Sequence, residues 1–298
     1  MLKVENVTKY YGDIKAVDNL SFEVRPGEIF GLLGVNGAGK TTTFRMITNL
    51  LDPTSGKITL NGKKIDYNMT DKIGFLTEER SLLTKLTVKE QCYFFGALKG
   101  MSDNEIEKSM NSLLNEFEVA EYKERKIKEL SKGNQQKIQF VTAILNHPKL
   151  LILDEPFSGL DPINVELFKK VIIRLANEGS MIIFSSHRME HVELFCEKLV
   201  ILVHGKSVLE GYLKDIKENY QKKNILIKGD LTKKDLENID GVIKVEKLKD
   251  EFNVQIKDKS YIDIVFNNIK KFKIIKFVVE EPTLNEIFVE KVGESYEK

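Results

Sequence analysis

Cysteine is scarce in this chain. Only Cys92 and Cys196 occur in 298 residues, far apart in sequence. Two such cysteines make neither a disulfide framework nor a metal-ligand spacing, so a reducing, cytoplasmic setting is expected. Charge of one sign is also lacking: the formal net charge is +1. No global field then draws the protein to nucleic acid or to anionic lipid, and no nucleic-acid partner is expected. Long apolar runs are missing as well. Leu150–Leu153 and Leu199–Val203 are strand-sized, far below the ~18 residues of a membrane span. Met1-Leu2-Lys3-Val4-Glu5 lacks the apolar core of a signal peptide. A role at a membrane would need another chain to supply the spanning part. There is no low-complexity segment and no repeat of fixed period.

What is present is an ordinary globular balance, 42% hydrophobic and 31% charged, long enough for one large domain and a small one. Residues 2–33 alternate apolar and polar around a Pro26-Gly27 turn and read as strands. Thr41–Leu50 reads as a helix. Ile58–Leu60 and Lys63–Ile65 flank Asn61-Gly62, which predicts a hairpin. The stretch from about 86 to 147 is helical, with capping boxes at Thr87–Glu90 and Ser102–Glu105. Leu150–Leu153 and Met181–Phe184 are unbroken apolar runs, as in strands buried on both faces of a parallel sheet. Leu199–Val203 and Lys206–Glu210 read as a last hairpin. The expected organisation is a domain over 1–216, a linker over 217–223 and a domain over 224–298. The tail reads βαββαβ, the order of a ferredoxin-like unit, with Thr283–Glu286 capping a final helix.

Gly34-Val35-Asn36-Gly37-Ala38-Gly39-Lys40-Thr41 fits GxxxxGK[ST] between a strand and a helix. Its glycines let backbone amides turn towards phosphate oxygens at a helix N-terminus. Lys40 would reach the β- and γ-phosphates, and the Thr41 hydroxyl would ligate Mg²⁺. Asp154-Glu155 ends a buried strand. The aspartate is placed to hold Mg²⁺ and the glutamate to act as general base, although a carboxylate pair alone reads equally well as a loop cap. Cys92 and Cys196 read as packing residues, and His147, His191 and His204 as surface or turn residues.

In order along residues 2 to about 215, these motifs and four others resemble the nucleotide-binding subunit of an ATP-binding-cassette (ABC) transporter. Leu130-Ser131-Lys132-Gly133-Asn134 is similar to the family signature LSGGQ. Ser158-Gly159-Leu160-Asp161 resembles its D-loop, and His187 its switch histidine. Tyr11 stands where the family stacks an aromatic on adenine, and Val17 where it packs beside the nucleotide. The resemblance implies a P-loop cassette: an α/β RecA-like core, an N-terminal antiparallel β-subdomain and a helical subdomain, followed here by a small α+β domain. It implies ATP and Mg²⁺ as ligands. Asn36, Gly37, Ala38, Gly39, Lys40, Thr41 and Thr42 would hold nucleotide together with Ser131 and Gly133 of a second copy. Lys40, Glu155 and His187 would be catalytic. A separate membrane permease would be the partner, with this chain on the inner face of the plasma membrane.

Two positions depart from the family. Glu78 stands where the Q-loop glutamine belongs. It can accept from Mg²⁺-bound water but cannot donate as an amide does. Lys132 and Asn134 replace a glycine and a glutamine of the signature. The loop Glu78-Glu79-Arg80 and the tail Glu281–Phe288 resemble bacterial export ATPases of the sodium- and drug-efflux type. Rival readings are an ABC ATPase acting on ribosomes or DNA and a module that holds ATP without turning it over. The single P-loop and lack of heptads weigh against the first, and intact Lys40, Asp154, Glu155 and His187 against the second.

Overall fold

A computed structural model describes residues 1–79 and 81–296. Arg80 of the Glu78-Glu79-Arg80 loop lies outside the described residues. The chain divides into two compact units, Met1–Glu210 and Gly211–Lys298.

The first unit opens with β1 (Leu2–Tyr11), β2 (Ile14–Val24) and β3 (Ile29–Gly34). Then come α1 (Lys40–Ile47), β4 (Ser55–Leu60), β5 (Lys63–Lys64) and β6 (Ile73–Leu76). Three helices follow, α2 (Val88–Leu98), α3 (Asp103–Glu116) and α4 (Lys132–Ile144). The unit closes with β7 (Leu150–Asp154), α5 (Pro162–Asn177), β8 (Met181–Ser185), α6 (Met189–Phe195), β9 (Lys198–Val203) and β10 (Lys206–Tyr212).

Its strands form two sheets. One runs β2-β1-β4-β5 and is antiparallel. The other runs β10-β9-β3-β8-β7-β6, parallel from β9 to β6. Every residue of β3, β7 and β8 is buried, which explains their unbroken apolar sequences. The sheets share a core in which Phe22 of β2 stacks on Phe30 of β3 at 4.8 Å. Asn61 and Gly62 both adopt positive φ, 53° and 78°, as a type I′ hairpin requires.

Thr87 and Ser102 cap α2 and α3 with complete capping boxes. The Thr87 hydroxyl accepts from the Glu90 amide at 3.1 Å, and Glu90 accepts from the Thr87 amide at 2.7 Å. Thr87→Ala is expected to cost about 1 kcal/mol, read as a lower unfolding midpoint with unchanged denaturant slope. An unchanged midpoint would remove the cap from the account. The helices are joined to α5 by the ring cluster Phe117, Phe140 and Phe168. Arg174 of α5 also forks onto both Glu116 oxygens at 2.9 Å. Cys92 and Cys196 are buried and free, and burial pushes the Cys92 thiol up to about 12. Neither is then a thiolate at neutral pH.

The second unit holds α7 (Leu213–Glu218), β11 (Lys223–Gly229), α8 (Lys233–Glu237), β12 (Val242–Leu248), β13 (Glu251–Ile256), α9 (Ile262–Ile269), β14 (Ile274–Glu280) and α10 (Leu284–Tyr296). From β11 to β14 the order is βαββαβ, in one antiparallel sheet ordered β12-β13-β11-β14. Its core includes Ile225, Ile227, Val254, Ile256, Val265 and Ile269. Thr283 and Glu286 cap α10 reciprocally, at 3.2 and 2.8 Å.

The expected linker at 217–223 falls inside the second unit. Lys217 and Glu218 end α7, residues 219–222 form an irregular connection, and Lys223 begins β11. The division falls earlier, at Glu210/Gly211.

Candidate functional site

Because β3, β8, β7 and β6 lie side by side and parallel, their carboxyl ends emerge along one edge. Ligands of open α/β sheets bind at such an edge. The loop after β3, Glu155 after β7, His187 beyond β8 and Glu78 beyond β6 thus meet. With Ala16 they line a cavity of about 630 Å³, which includes Asn36, Gly37, Ala38, Gly39, Lys40, Thr41, Thr42 and Asp154. That volume lies in the usual range for small-molecule sites.

The glycine loop is wrapped tightly. Gly39 caps α1 with φ +102°, and a Cβ there would stand 2.5 Å from the Ala16 carbonyl. Only glycine satisfies both conditions. Val17 is buried behind the loop, its Cγ2 3.3 Å from where that Cβ would be. Ala16, not Val17, reaches the cavity. The Lys40 ammonium donates to the carbonyls of Gly34 at 2.7 Å and Val35 at 3.3 Å. Burial pulls its pKa down, and the carboxylates of Asp154, Glu155 and Glu78 resist that pull. Among the described residues Lys40 therefore faces three carboxylates, a site prepared for further positive charge.

The two carboxylates after β7 differ in their surroundings. Asp154 accepts from the Ser185 hydroxyl at 2.6 Å on the neighbouring strand, where the two residues pair in register. Glu155 adopts φ +52°, the left-handed region that non-glycine residues seldom occupy. Its amide donates to the Ser185 carbonyl at 3.3 Å and hydroxyl at 3.2 Å. Those bonds hold the strained turn in place and aim the side chain into the cavity. Glu155 Oε2 lies 2.9 Å from His187 Nδ1. Burial raises the pKa of both carboxyls, opposed by Ser185 at Asp154 and by His187 at Glu155.

The remaining expected residues lie elsewhere. Tyr11 ends β1, is 44% exposed and is not among the lining residues. Ser131 and Gly133 also lie outside the cavity, at the start of α4. Ser131 is exposed and caps that helix, accepting from the Asn134 amide at 3.3 Å. The nearest side-chain atom to a Cβ on Gly133 would be Asn164 Nδ2, at 4.0 Å. His191, expected at the surface, is buried in α6 with its ring edge-on to Phe157 at 4.8 Å. α6 buries Met189, His191, Val192 and Phe195, so His191 belongs to its inner face, and burial lowers its pKa.

Two residues escaped the sequence reading, Ser185 and Gln139. Gln139 of α4 is 5% exposed and donates to the loop that carries Glu78. Their partners lie 31 and 62 residues away in sequence, so no local pattern reveals them.

The donor set fits a hard cation. Thr41, Asp154 and Glu78 offer oxygen only, which suits Mg²⁺. Among the described residues no three His, Cys, Asp or Glu side chains gather as a metal cage.

Comparisons with known proteins give a consistent picture. Residues 17–158 match the family described as ABC transporter. Residues 211–292 match the family described as ATP-binding protein DrrA1-3-like, C-terminal domain. The chain is 49% identical over 298 residues, the full length of both proteins, to the uncharacterized ABC transporter ATP-binding protein YhaQ of Bacillus subtilis. Among solved structures, an ATP-binding subunit of an ABC transporter superposes with TM-score 0.69 at 32% identity, over 73% of this chain and 92% of that one. A dimeric post-hydrolysis state of the ATP-binding cassette MJ0796, bound to ADP and Pi, superposes with TM-score 0.66 at 27% identity. That match covers 72% of this chain and 99% of the other.

Proposed function

This chain belongs to the ATP-binding proteins of ABC transporters, and we propose that it hydrolyses ATP to drive a separate membrane permease, two copies closing head-to-tail on shared sites. The observation that carries this reading is the gathering of the glycine loop, Lys40, Asp154, Glu155 and His187 around one cavity at the sheet edge. Among the described residues no helix is long and apolar enough to cross a membrane, which supports a separate permease. We place the chain on the cytoplasmic face of that permease. Export is the proposed direction, on the resemblance of the Glu78 loop and the tail motif.

The roles follow from chemistry. The amides from Gly37 to Thr42, at the N-terminus of α1, would hold phosphate oxygens. Lys40 would pair with the β- and γ-phosphates. Tyr11 would stack on adenine, with Val17 supporting the loop and Asn36 at its tip. Thr41, Asp154 and Glu78 would hold Mg²⁺, which when bound neutralises phosphate charge. Glu155, its basicity increased by burial, would take the proton of the attacking water. His187 would fix the Glu155 carboxylate through the 2.9 Å contact and face the γ-phosphate with its other nitrogen. Ser131 and Gly133 sit outside this cavity, which supports their serving the site of a second copy.

Mixing inactive variants tests the shared site. Lys40→Ala lacks a working phosphate loop, and Ser131→Ala lacks the signature hydroxyl. Each alone should be nearly inactive. Mixed in equal amounts, they form heterodimers with one fully native site, and ATPase activity should return to roughly a quarter of wild type, since half the dimers are mixed and each has one of two sites. A mixture no more active than its parts would refute head-to-tail sharing.

A further inference from the structure

Glu78 enters the cavity from a segment that is otherwise short of regular structure, between β6 and α2. Its side chain is exposed, and nothing in its own sequence fixes where it points. The grip comes from α4. Gln139 Nε2 donates to the Thr77 carbonyl at 3.1 Å and to the Glu79 carbonyl at 3.4 Å. Those are the carbonyls on either side of Glu78. The same nitrogen reaches the Thr77 hydroxyl at 3.3 Å. That hydroxyl donates to the Glu79 carbonyl at 2.5 Å and lies 2.9 Å from Ser81 Oγ. Gln139 is buried, and among the described residues its Oε1 has no hydrogen-bond partner. A buried amide with an unpaired oxygen is costly to keep, so the side chain is retained here for what its NH₂ does. A second buried glutamine, Gln91 of α2, accepts from the Leu83 amide at 2.9 Å and donates to Thr142 of α4 at 3.0 Å. It ties down the far end of the same segment.

We propose that Gln139 is a positioning residue for Glu78. By clasping the carbonyls that flank it, Gln139 sets the place of the Glu78 carboxylate opposite Lys40 and Asp154. The same helix begins at Ser131, eight residues earlier and about 12 Å along its axis. Gln139 thereby links the carboxylate of one site to the signature end that serves the other. This link between sites rests on the shared-site reading above, whereas the clasp itself does not.

The test is Gln139→Met in the full chain, which keeps length and removes both donors. Backbone amide exchange across residues 78–83 should quicken at least tenfold, with β6 and α4 unchanged. ATPase kcat should fall about tenfold, with the dissociation constant for ATP within twofold of wild type. The decisive measurement is a double-mutant cycle with Glu78→Ala, read by single-turnover hydrolysis. Once the carboxylate is gone, Gln139→Met should cost less than twofold. Equal losses in both backgrounds would overturn the proposal, as would unchanged exchange at 78–83. Should Gln139→Met fold poorly, Gln139→Leu removes the same donors with a smaller side chain and must give the same non-additive pattern. A wild-type chain without ATPase activity at any concentration would remove the hydrolytic reading instead, and the exchange measurement would still decide the clasp.

Discussion

Glu155→Gln is expected to lower ATP turnover by roughly 10²–10⁴-fold, the usual contribution of a general base, while ATP binding and dimer closure persist. The amide keeps the shape of the side chain and cannot take a proton from water. A second consequence separates this role from a merely structural one. Burial raises the Glu155 pKa above its ordinary 4.5. The native state therefore holds this proton to higher pH than the unfolded chain does. The linkage sign follows: the contribution to stability is fully present below pH 4.5 and is lost as pH rises through the raised native value. Above that raised value the ionised, buried carboxylate destabilises the fold. Glu155→Gln should thus unfold at a higher temperature than wild type above that window, and the difference should shrink on acidification. Calorimetry across pH, paired with turnover measurements, checks both parts. A variant that turns over ATP at the wild-type rate would take the base role from Glu155.

Lys40→Ala is the second large effect. Among the described residues Lys40 is the one lysine or arginine lining the cavity, where Asp154, Glu155 and Glu78 supply three carboxylates. A charge-assisted hydrogen bond contributes about 1.5–3 kcal/mol, so its loss alone predicts roughly 10–150-fold weaker ATP binding. Three carboxylates left facing the phosphates push the effect towards the upper end. The fold should survive, because the ammonium's contacts are to the loop carbonyls of Gly34 and Val35. Titration calorimetry with ATP reads the change, and far-ultraviolet circular dichroism reads the fold. ATP affinity within threefold of wild type would mean that Lys40 does not contact phosphate.

The departures at Glu78 and Lys132 acquire different weights from the structure. Glu78 lines the cavity and adds negative charge beside Asp154, whose pKa it helps to raise. Lys132 is exposed at the first turn of α4, outside the cavity, so under the proposed shared site any effect on phosphate would act on another copy.

What was legible in the sequence was short-range. The glycine loop is contiguous, and its turn, helix start and phosphate chemistry are written in eight adjacent residues. The capping boxes at Thr87 and Ser102 span four residues each and form as expected. The βαββαβ order of the second unit followed from strand and helix periodicities alone, and its sheet closed as β12-β13-β11-β14. The family resemblance rested on motifs in order, and order needs no coordinates.

Tertiary structure decided whatever depends on neighbours far apart in sequence. The sheet order placed β8 between β3 and β7, which brought Ser185 against Asp154 and Glu155. His191 was buried because α6 packs that side of itself against Phe157. The polar run at 217–223 reads as a linker because its charges are solvated, and residues 219–222 do connect α7 to β11, but only the fold shows that its two ends belong to those elements. Gln139 could be read only as one more residue of a helix until the fold set it against the Glu78 loop. The sequence by itself determined the chemistry of the glycine loop, since backbone turns and helix starts are local. Only the fold decided how Glu78 is held and which residues share a cavity, since packing joins residues that chain distance keeps apart.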